Sequence, residues 1–202
     1  MDNLQYERKH LSNGKKYIAG VDEVGRGPLA GPVVCASVIM PLDNIIEGVT
    51  DSKKLTEKKR EKLAVLIKEK ALCYSIKEVW QEEIDQINIL NAVKKCMVDA
   101  VNSLEITPDI TLVDGVDTNL PINAEYIIKG DFNSYTIGCA SILAKVYRDN
   151  LMVDFAKEYP EYGFEKHKGY GTKTHIETIK EIGPCKLHRK TFIKNFWVEQ
   201  AK

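Results

Sequence analysis

The stretch YIAGVDEVGRGPLAGPVVCASVIM, Tyr17 to Met40, constrains the fold more than any other part of the chain. Two runs rich in β-branched and small apolar residues, Tyr17 to Glu23 and Pro32 to Met40, are joined by VGRGPLAG. A glycine- and proline-bearing connection between two such runs predicts a hairpin. The first run closes on two adjacent carboxylates, Asp22 and Glu23. Successive side chains on a regular strand face opposite ways, so a shared role for the pair calls for a bent backbone. Val24-Gly25 supplies a break, and strand regularity is expected to be lost at Glu23.

The rest of the chain alternates strands and helices without repeats or low-complexity linkers. TEKKREKLAVLIKEKA reads as an amphipathic helix with Thr56 as N-cap and Leu63, Leu66 and Ile67 on one side. LCYSIKEV reads as a half-buried strand, with Leu72, Tyr74 and Ile76 alternating against Cys73, Ser75 and Lys77. A second helix is marked by Ile84, Ile87, Leu90, Val93, Met97, Val101 and Leu104 at three- and four-residue spacing. DITLVDG and AEYIIKGD are of strand length, and a long helix is expected from about Ser134 to Tyr159. The class is α/β with a mixed central β-sheet flanked by helices. One domain is expected over 1–202, with a core of about 15–160 and a C-terminal helical, substrate-contacting segment of about 161–202.

At 202 residues and 44% hydrophobic content the chain can bury a proper core. Its five cysteines form no C-x-x-C pair, which argues against a disulfide framework and a zinc site and fits reduced thiols in a cytoplasm. MDNLQYERKH lacks the apolar centre of a signal peptide, and no segment has bilayer-spanning length. With 29 basic and 29 acidic residues, composition gives no licence for a nucleic-acid partner. Basic residues do concentrate between Glu165 and Asn195, where a solvated surface is the default reading.

Two further acids follow strand-like runs: Asp114 closes ITLV, and Asp131 follows YII just before a helix. Each has an ordinary explanation alone. Asp114-Gly115 is a turn dipeptide, Asp131 could cap a helix, and Asp22 and Glu23 could flank a turn. Together, acids delivered by three strand ends would crowd one volume and repel one another unless cations neutralise them. Oxygen ligands without histidine or cysteine point to Mg²⁺ or Mn²⁺. Asp149 differs: four residues after Lys145 and beside Arg148, it reads as half of a helix-surface ion pair. His175 and His188 lack metal-ligand spacing and read as hydrogen-bonded structural residues.

AGVDEVGRGPLAGPVV, DSKKL, LVDG, KGD, ASILAKVYRD and HKGYGT occur in the order found in the ribonuclease HII family, and from about Tyr17 to Phe192 the chain resembles that family. The resemblance implies a ribonuclease H-like fold with a C-terminal helical segment. It implies endonucleolytic hydrolysis of the RNA strand of RNA/DNA hybrids, and incision 5′ of ribonucleotides embedded in duplex DNA that leaves 3′-hydroxyl and 5′-phosphate ends, in the service of ribonucleotide removal. Asp22, Glu23, Asp114 and Asp131 match the family's catalytic, metal-binding acids. Two divalent ions about 3.5–4 Å apart would clamp the scissile phosphate, one activating water and one stabilising the leaving oxygen. Gly25, Arg26 and Gly27, with Tyr170, match the element that reads the 2′-hydroxyl, the group that distinguishes RNA from DNA. Phosphate contacts are expected from Ser52, Lys53, the start of the long helix through Ser141, and Lys168. The chain departs from the family's pattern at Gly138-Cys139-Ala140 and at Phe132-Asn133. The related ribonuclease HIII carries an N-terminal platform domain, whereas only a short leader precedes the first strand here. Two rival readings are an integrase-like enzyme of the same superfold, which needs the acids but not Gly-Arg-Gly with Tyr170, and a non-catalytic hybrid-binding module. A monomer is expected, and sliding-clamp docking through the C-terminal NFWVEQAK has no support in the residues themselves.

Overall fold

In the computed structural model, residues 3–197 are described. Five strands form one mixed sheet in the order β3-β2-β1-β4-β5. They are β1 (Ile18–Val24), β2 (Val33–Ile39), β3 (Cys73–Val79), β4 (Ile110–Asp114) and β5 (Ala124–Ile127). β1 pairs antiparallel with β2, as the hairpin reading predicts, and parallel with β4 on its other side. It is therefore the central strand, bonded along both edges. Its regularity does not break at Glu23, however: Glu23 faces Cys35 and Val24 faces Val34 in unbroken register. The turn begins only at Gly25, whose φ is 94°.

The sheet is covered on both faces. On one, Val34, Ala36 and Val38 pack with Leu63 and Ile67 of α2 (Glu57–Lys70) and with Cys139, Ile142 and Leu143 of α5 (Tyr135–Glu158). On the other, Val21, Val33 and Cys35 pack with Ile84, Val93, Cys96 and Met97 of α3 (Gln81–Asn102). Gly20 allows α5 to approach β1 closely, since a Cβ there would stand 2.2 Å from the Thr136 carbonyl carbon. Thr56 caps α2 as its sequence suggests, accepting from the Lys59 amide.

Three apolar assignments are corrected. Leu66 is 40% exposed; the inner face of α2 is Leu63, Ala64 and Ile67. In β3 the faces are exchanged: Leu72 and Tyr74 are exposed while Cys73 and Ser75 are buried. β3 is an edge strand, and Ser75 on its other face donates to the Ala100 carbonyl under α3. In α3, Asn88 adopts φ 65° and ψ 164° and its side chain accepts from the Asn91 amide, so it restarts the helix as an internal N-cap. The apolar stripe changes phase there, leaving Leu90 exposed and burying Ala92, Cys96 and Ala100.

The C-terminal segment contains the short α6 (Phe164–His167), α7 (Lys173–Ile182) and α8 (Lys190–Ile193). Its core of Tyr162, Phe164, Ile179, Leu187 and Ile193 closes over Ala30 of the β1–β2 connection and Met152 of α5. Three main-chain bonds stitch that connection to it: Leu29 N–H to Gly169 O (2.8 Å), Gly31 N–H to Leu187 O (2.9 Å) and Arg189 N–H to Leu29 O (2.8 Å). All five cysteines are free, and among the described residues no helix is long and apolar enough to cross a membrane.

α5 begins with a buried anion. Glu7, on α1 (Gln5–Ser12), is fully buried, and its Oε1 accepts from the Ser134 hydroxyl (2.6 Å), the Thr136 amide (2.9 Å) and the Thr136 hydroxyl (3.0 Å). A carboxylate at a helix N-terminus satisfies orphan amides and complements the dipole. Replacing Glu7 with Ala strands those donors, and urea unfolding is expected to show a loss of about 2–3 kcal/mol.

Candidate active site

The acids meet at the ends of the central parallel strands, the edge of an open α/β sheet where ligands bind. The last paired residues of β1 and β4 are Val21 and Val113, so Asp22 and Asp114 follow side by side. Asp22 is buried on the α5 face, where the Ser141 hydroxyl hydrogen-bonds its carboxylate and the Glu23 amide donates to it at 2.7 Å. Ser52 Oγ lies 2.9 Å from Ser141 Oγ, so both hydroxyls expected to touch phosphate are lined up behind Asp22. Asp114 Oδ1 accepts from the amides of Gly130 (2.6 Å) and Asp131 (3.4 Å). That bond draws α4 (Gly130–Asn133), and Asp131 with it, onto the end of β4. Asp131 is no cap for α5; Ser134 and Glu7 fill that role. The turn reading of Asp114-Gly115 is half right, since Gly115 does adopt φ 103°, but the carboxylate reaches across to α4.

Electrostatics register the crowding. Burial raises Asp22 well above the usual carboxylate range, and the charges of Glu23 and Asp114 add to the shift. Glu23 is raised by burial and by Asp114, against the pull of Arg26, whose Nη1 lies 3.2 Å from Glu23 Oε1. Asp131 is raised by burial, Asp114 and Asp51, with Lys53 opposing at 4.0 Å. Lys53 is raised although burial works against its charge, because Asp131, Asp22, Asp51 and Asp114 all attract its proton. It borders a cavity of about 520 Å³ lined also by Asp51, Lys54, Lys129, Asp131 and Phe132. Glu23 joins the group without the expected bend: it points to the face opposite Asp22, and being at the strand end it still senses Asp114. Among the described residues no three of these side chains stand close enough to hold a metal ion as arranged. The donor set itself, hard carboxylate oxygens, suits a divalent cation.

Beside the acids, the structure brings Gly25, Arg26 and Gly27 together with Tyr170. A Cβ on Gly27 would stand 3.9 Å from Tyr170 Cε1, and Tyr170 is 41% exposed. Lys168 is turned away: its ammonium donates to the Glu165 carbonyl and its own carbonyl accepts from Arg148.

Two residues here escaped the sequence reading. Arg148 and Arg189 are both fully buried. Arg148 donates to Pro32 O (2.9 Å), Ala30 O (3.1 Å) and Lys168 O (2.9 Å); Arg189 donates to Gly25 O (2.7 Å), Gly31 O (2.8 Å) and Arg26 O (3.0 Å). They brace the β1–β2 connection from beneath, and side-chain bulk at Gly25 would meet Arg148 Nε at 2.4 Å. Arg148 could have been found, since it falls on the four-residue stripe Ala140, Ala144, Arg148, Met152. Arg189 belongs to the basic tail, whose other members do match the solvated reading: Lys186 pairs with Glu158 at 3.1 Å and Lys173 with Glu177 at 3.8 Å. Asp149 pairs with Lys145 (2.7 Å), as expected, but not on the helix surface: it is buried against α2, where Arg60 lies 3.8 Å away.

The sheet order and flanking helices are those of a ribonuclease H-like nuclease. Ribonuclease H2 from Pyrococcus horikoshii OT3 superposes with a TM-score of 0.73 at 32% identity, covering 87% of this chain and 93% of that one. Ribonuclease HII of Archaeoglobus fulgidus, solved with PCNA, gives 0.76 at 26% identity over 92% and 97%. The family model described as ribonuclease HII matches residues 19–199. Ribonuclease HII of Caldicellulosiruptor bescii is 55% identical over 95% of this chain and 94% of its own. The chain belongs to the ribonuclease HII family, and it is an endonuclease of the ribonuclease H type, which sets aside both rival readings. The family activity is hydrolysis of the RNA strand of RNA/DNA hybrids.

His175 and His188 are structural, as expected, with their Nε2 atoms 3.0 Å apart. Burial pulls each down to about 4 from the usual 6.5. The unfolded chain therefore takes up protons first as pH falls, and the stability these rings contribute is complete above pH 6.5 and lost toward pH 4. Asp22, Glu23 and Asp131, being raised, act in the opposite sense. Calorimetry of wild type against a His175→Asn/His188→Gln double variant is expected to show the wild-type melting temperature falling more steeply across that window.

Proposed function

We propose that this enzyme incises on the 5′ side of ribonucleotides embedded in duplex DNA, besides hydrolysing the RNA strand of hybrids, with two divalent ions, Mg²⁺ or Mn²⁺, held by Asp22, Glu23, Asp114 and Asp131. Bound there, the ions would supply an activated water and charge stabilisation for the departing 3′-oxygen. Ser141 holds Asp22 and the amides of α4 hold Asp114 at the strand ends, and the acids would draw together around the ions from there. Lys53, within reach of Asp131 and largely exposed, is placed to meet a phosphate of the incoming strand. Ser52 and Ser141 act on phosphate only indirectly, through Asp22.

The observation that carries the reading is the adjacency of the Tyr170 ring to Gly27, which lies on the connection that leaves β1 just after Glu23. Main chain stripped of side-chain bulk can approach a 2′-hydroxyl, and an aromatic face can stack on the following deoxyribose. A monomer suffices, since one chain supplies every part. In NFWVEQAK, Phe196 and Trp197 already pack on the C-terminal core, and 198–202 lie outside the described residues; we therefore read the aromatic pair as anchors rather than as clamp-binding residues.

Cleavage of three duplexes tests this: all-DNA, DNA with one ribonucleotide, and a continuous hybrid. Incision 5′ of the single ribonucleotide with the all-DNA duplex untouched is expected; equal cutting of all three would overturn the proposal. Asp22→Asn is expected to lower turnover more than about 100-fold, equivalent to about 3 kcal/mol, while leaving hybrid affinity nearly unchanged. The same variant, freed of a repelled charge, should be more stable than wild type in EDTA, read as a higher urea midpoint.

A further inference from the structure

Three histidines of the C-terminal segment, His167, His175 and His188, have no part in metal binding or in reading the sugar, yet their ring nitrogens are engaged in a directed order. His175 Nδ1 lies 2.9 Å from the Tyr170 carbonyl oxygen. A carbonyl only accepts, so Nδ1 carries the proton and Nε2 keeps a lone pair. That lone pair faces His188 Nε2 at 3.0 Å, so His188 must donate from Nε2. Its Nδ1 then accepts from the Cys185 amide at 3.0 Å; the Cys185 thiol at 3.3 Å and the Cys185 carbonyl oxygen at 3.2 Å also lie against it, and with the ring's one proton on Nε2 that carbonyl receives no hydrogen bond from it. The donors thus run one way, from the Cys185 amide through His188 and His175 to the Tyr170 carbonyl.

His167 obeys the same logic. Its Nε2 donates to the Tyr162 carbonyl (2.8 Å) and its Nδ1 accepts from the Gly169 amide (3.2 Å). The His167 and His175 rings stack at 4.3 Å and 18°, with Tyr162 and Phe164 around them. The main chain is therefore gripped at Gly169 and at Tyr170 itself, on both sides of the Tyr170 Cα. The Tyr170 ring remains exposed above Gly27. Apolar residues would fill this volume with no desolvation penalty; what the polar chain adds is orientation, since each hydrogen bond fixes the next ring's tautomer and plane.

We infer that His175 and His188, with His167 stacked against them, are positioning residues that aim Tyr170 at the sugar following the ribonucleotide, and so set the preference for a ribonucleotide–deoxyribonucleotide junction over a continuous hybrid. This rests on the role given to Tyr170 above. The grip acts on the main chain of one residue and touches none of the acids, so its loss changes discrimination more than chemistry.

The full-length chain is assayed on the single-ribonucleotide duplex and on the continuous hybrid, and kcat/KM is compared as a ratio. His175→Leu, which cannot donate to the Tyr170 carbonyl, is expected to lower that ratio about tenfold, as a displaced substrate-positioning group does, with kcat on the hybrid little changed. His175→Asn presents an amide N–H where Nδ1 stood and should restore most of the ratio. Nitrogen-15 spectra of the wild-type rings should show the proton on Nδ1 of His175 and on Nε2 of His188 and of His167; any other set overturns the inference, even if the leucine variant fails to fold. A folded His175→Leu with an unaltered ratio overturns it as well, provided Tyr170→Ala lowers the ratio. Should Tyr170→Ala itself leave the ratio unchanged, the reading of Tyr170 falls, and this inference with it.

Discussion

Two cations buried without a carboxylate to bond to them govern how this molecule is assembled. Taking a guanidinium out of water is costly, and burial pulls Arg148 and Arg189 down to about 10 and about 9, though both stay charged at neutral pH. Within the described residues every hydrogen bond they make ends on a main-chain carbonyl. The carbonyls at Gly25, Arg26, Ala30, Gly31, Pro32 and Lys168 must therefore be presented inward, which fixes the path of a connection that has little regular pairing of its own. Glycine at 25 and at 31, both at positive φ, is what lets the chain turn its carbonyls that way.

The acid cluster obeys the opposite logic. Its negative charges are gathered by hydrogen bonds at Asp22 and Asp114 and left to repel one another, with Arg26 and Lys53 as partial counterweights at the rim. Buried, crowded carboxylates raised in this way destabilise the fold that holds them. The rest of the sheet, packed on both faces by apolar helices, supplies the stability against which that strain is held.

The parts of the fold legible in the residues were those that local chemistry decides. The hairpin, the Thr56 cap and the 24-residue α5 follow from turn glycines, a capping hydroxyl and apolar runs of helical length. So did the meeting of Asp22, Glu23, Asp114 and Asp131, because strand ends in a parallel pair share an edge. What misled were positions set by neighbours distant in sequence. Tyr74 is exposed because β3 lies at the sheet's edge, and Leu90 because Asn88 resets the helix phase. Glu23 was assigned a bend that the edge geometry makes unnecessary. Arg189 looked like one more solvated base among lysines, and only the carbonyls that converge on it, from residues some 160 positions earlier, distinguish it.

The three main-chain bonds between the β1–β2 connection and the C-terminal segment separate two kinds of inheritance within one polypeptide. All four acids reside before Ser134, while the braces and the Tyr170 loop are contributed after it. With the roles proposed for the acids and for Tyr170, drift in the last quarter of the sequence would blunt discernment while sparing hydrolysis, giving a cutter that errs rather than one that stops.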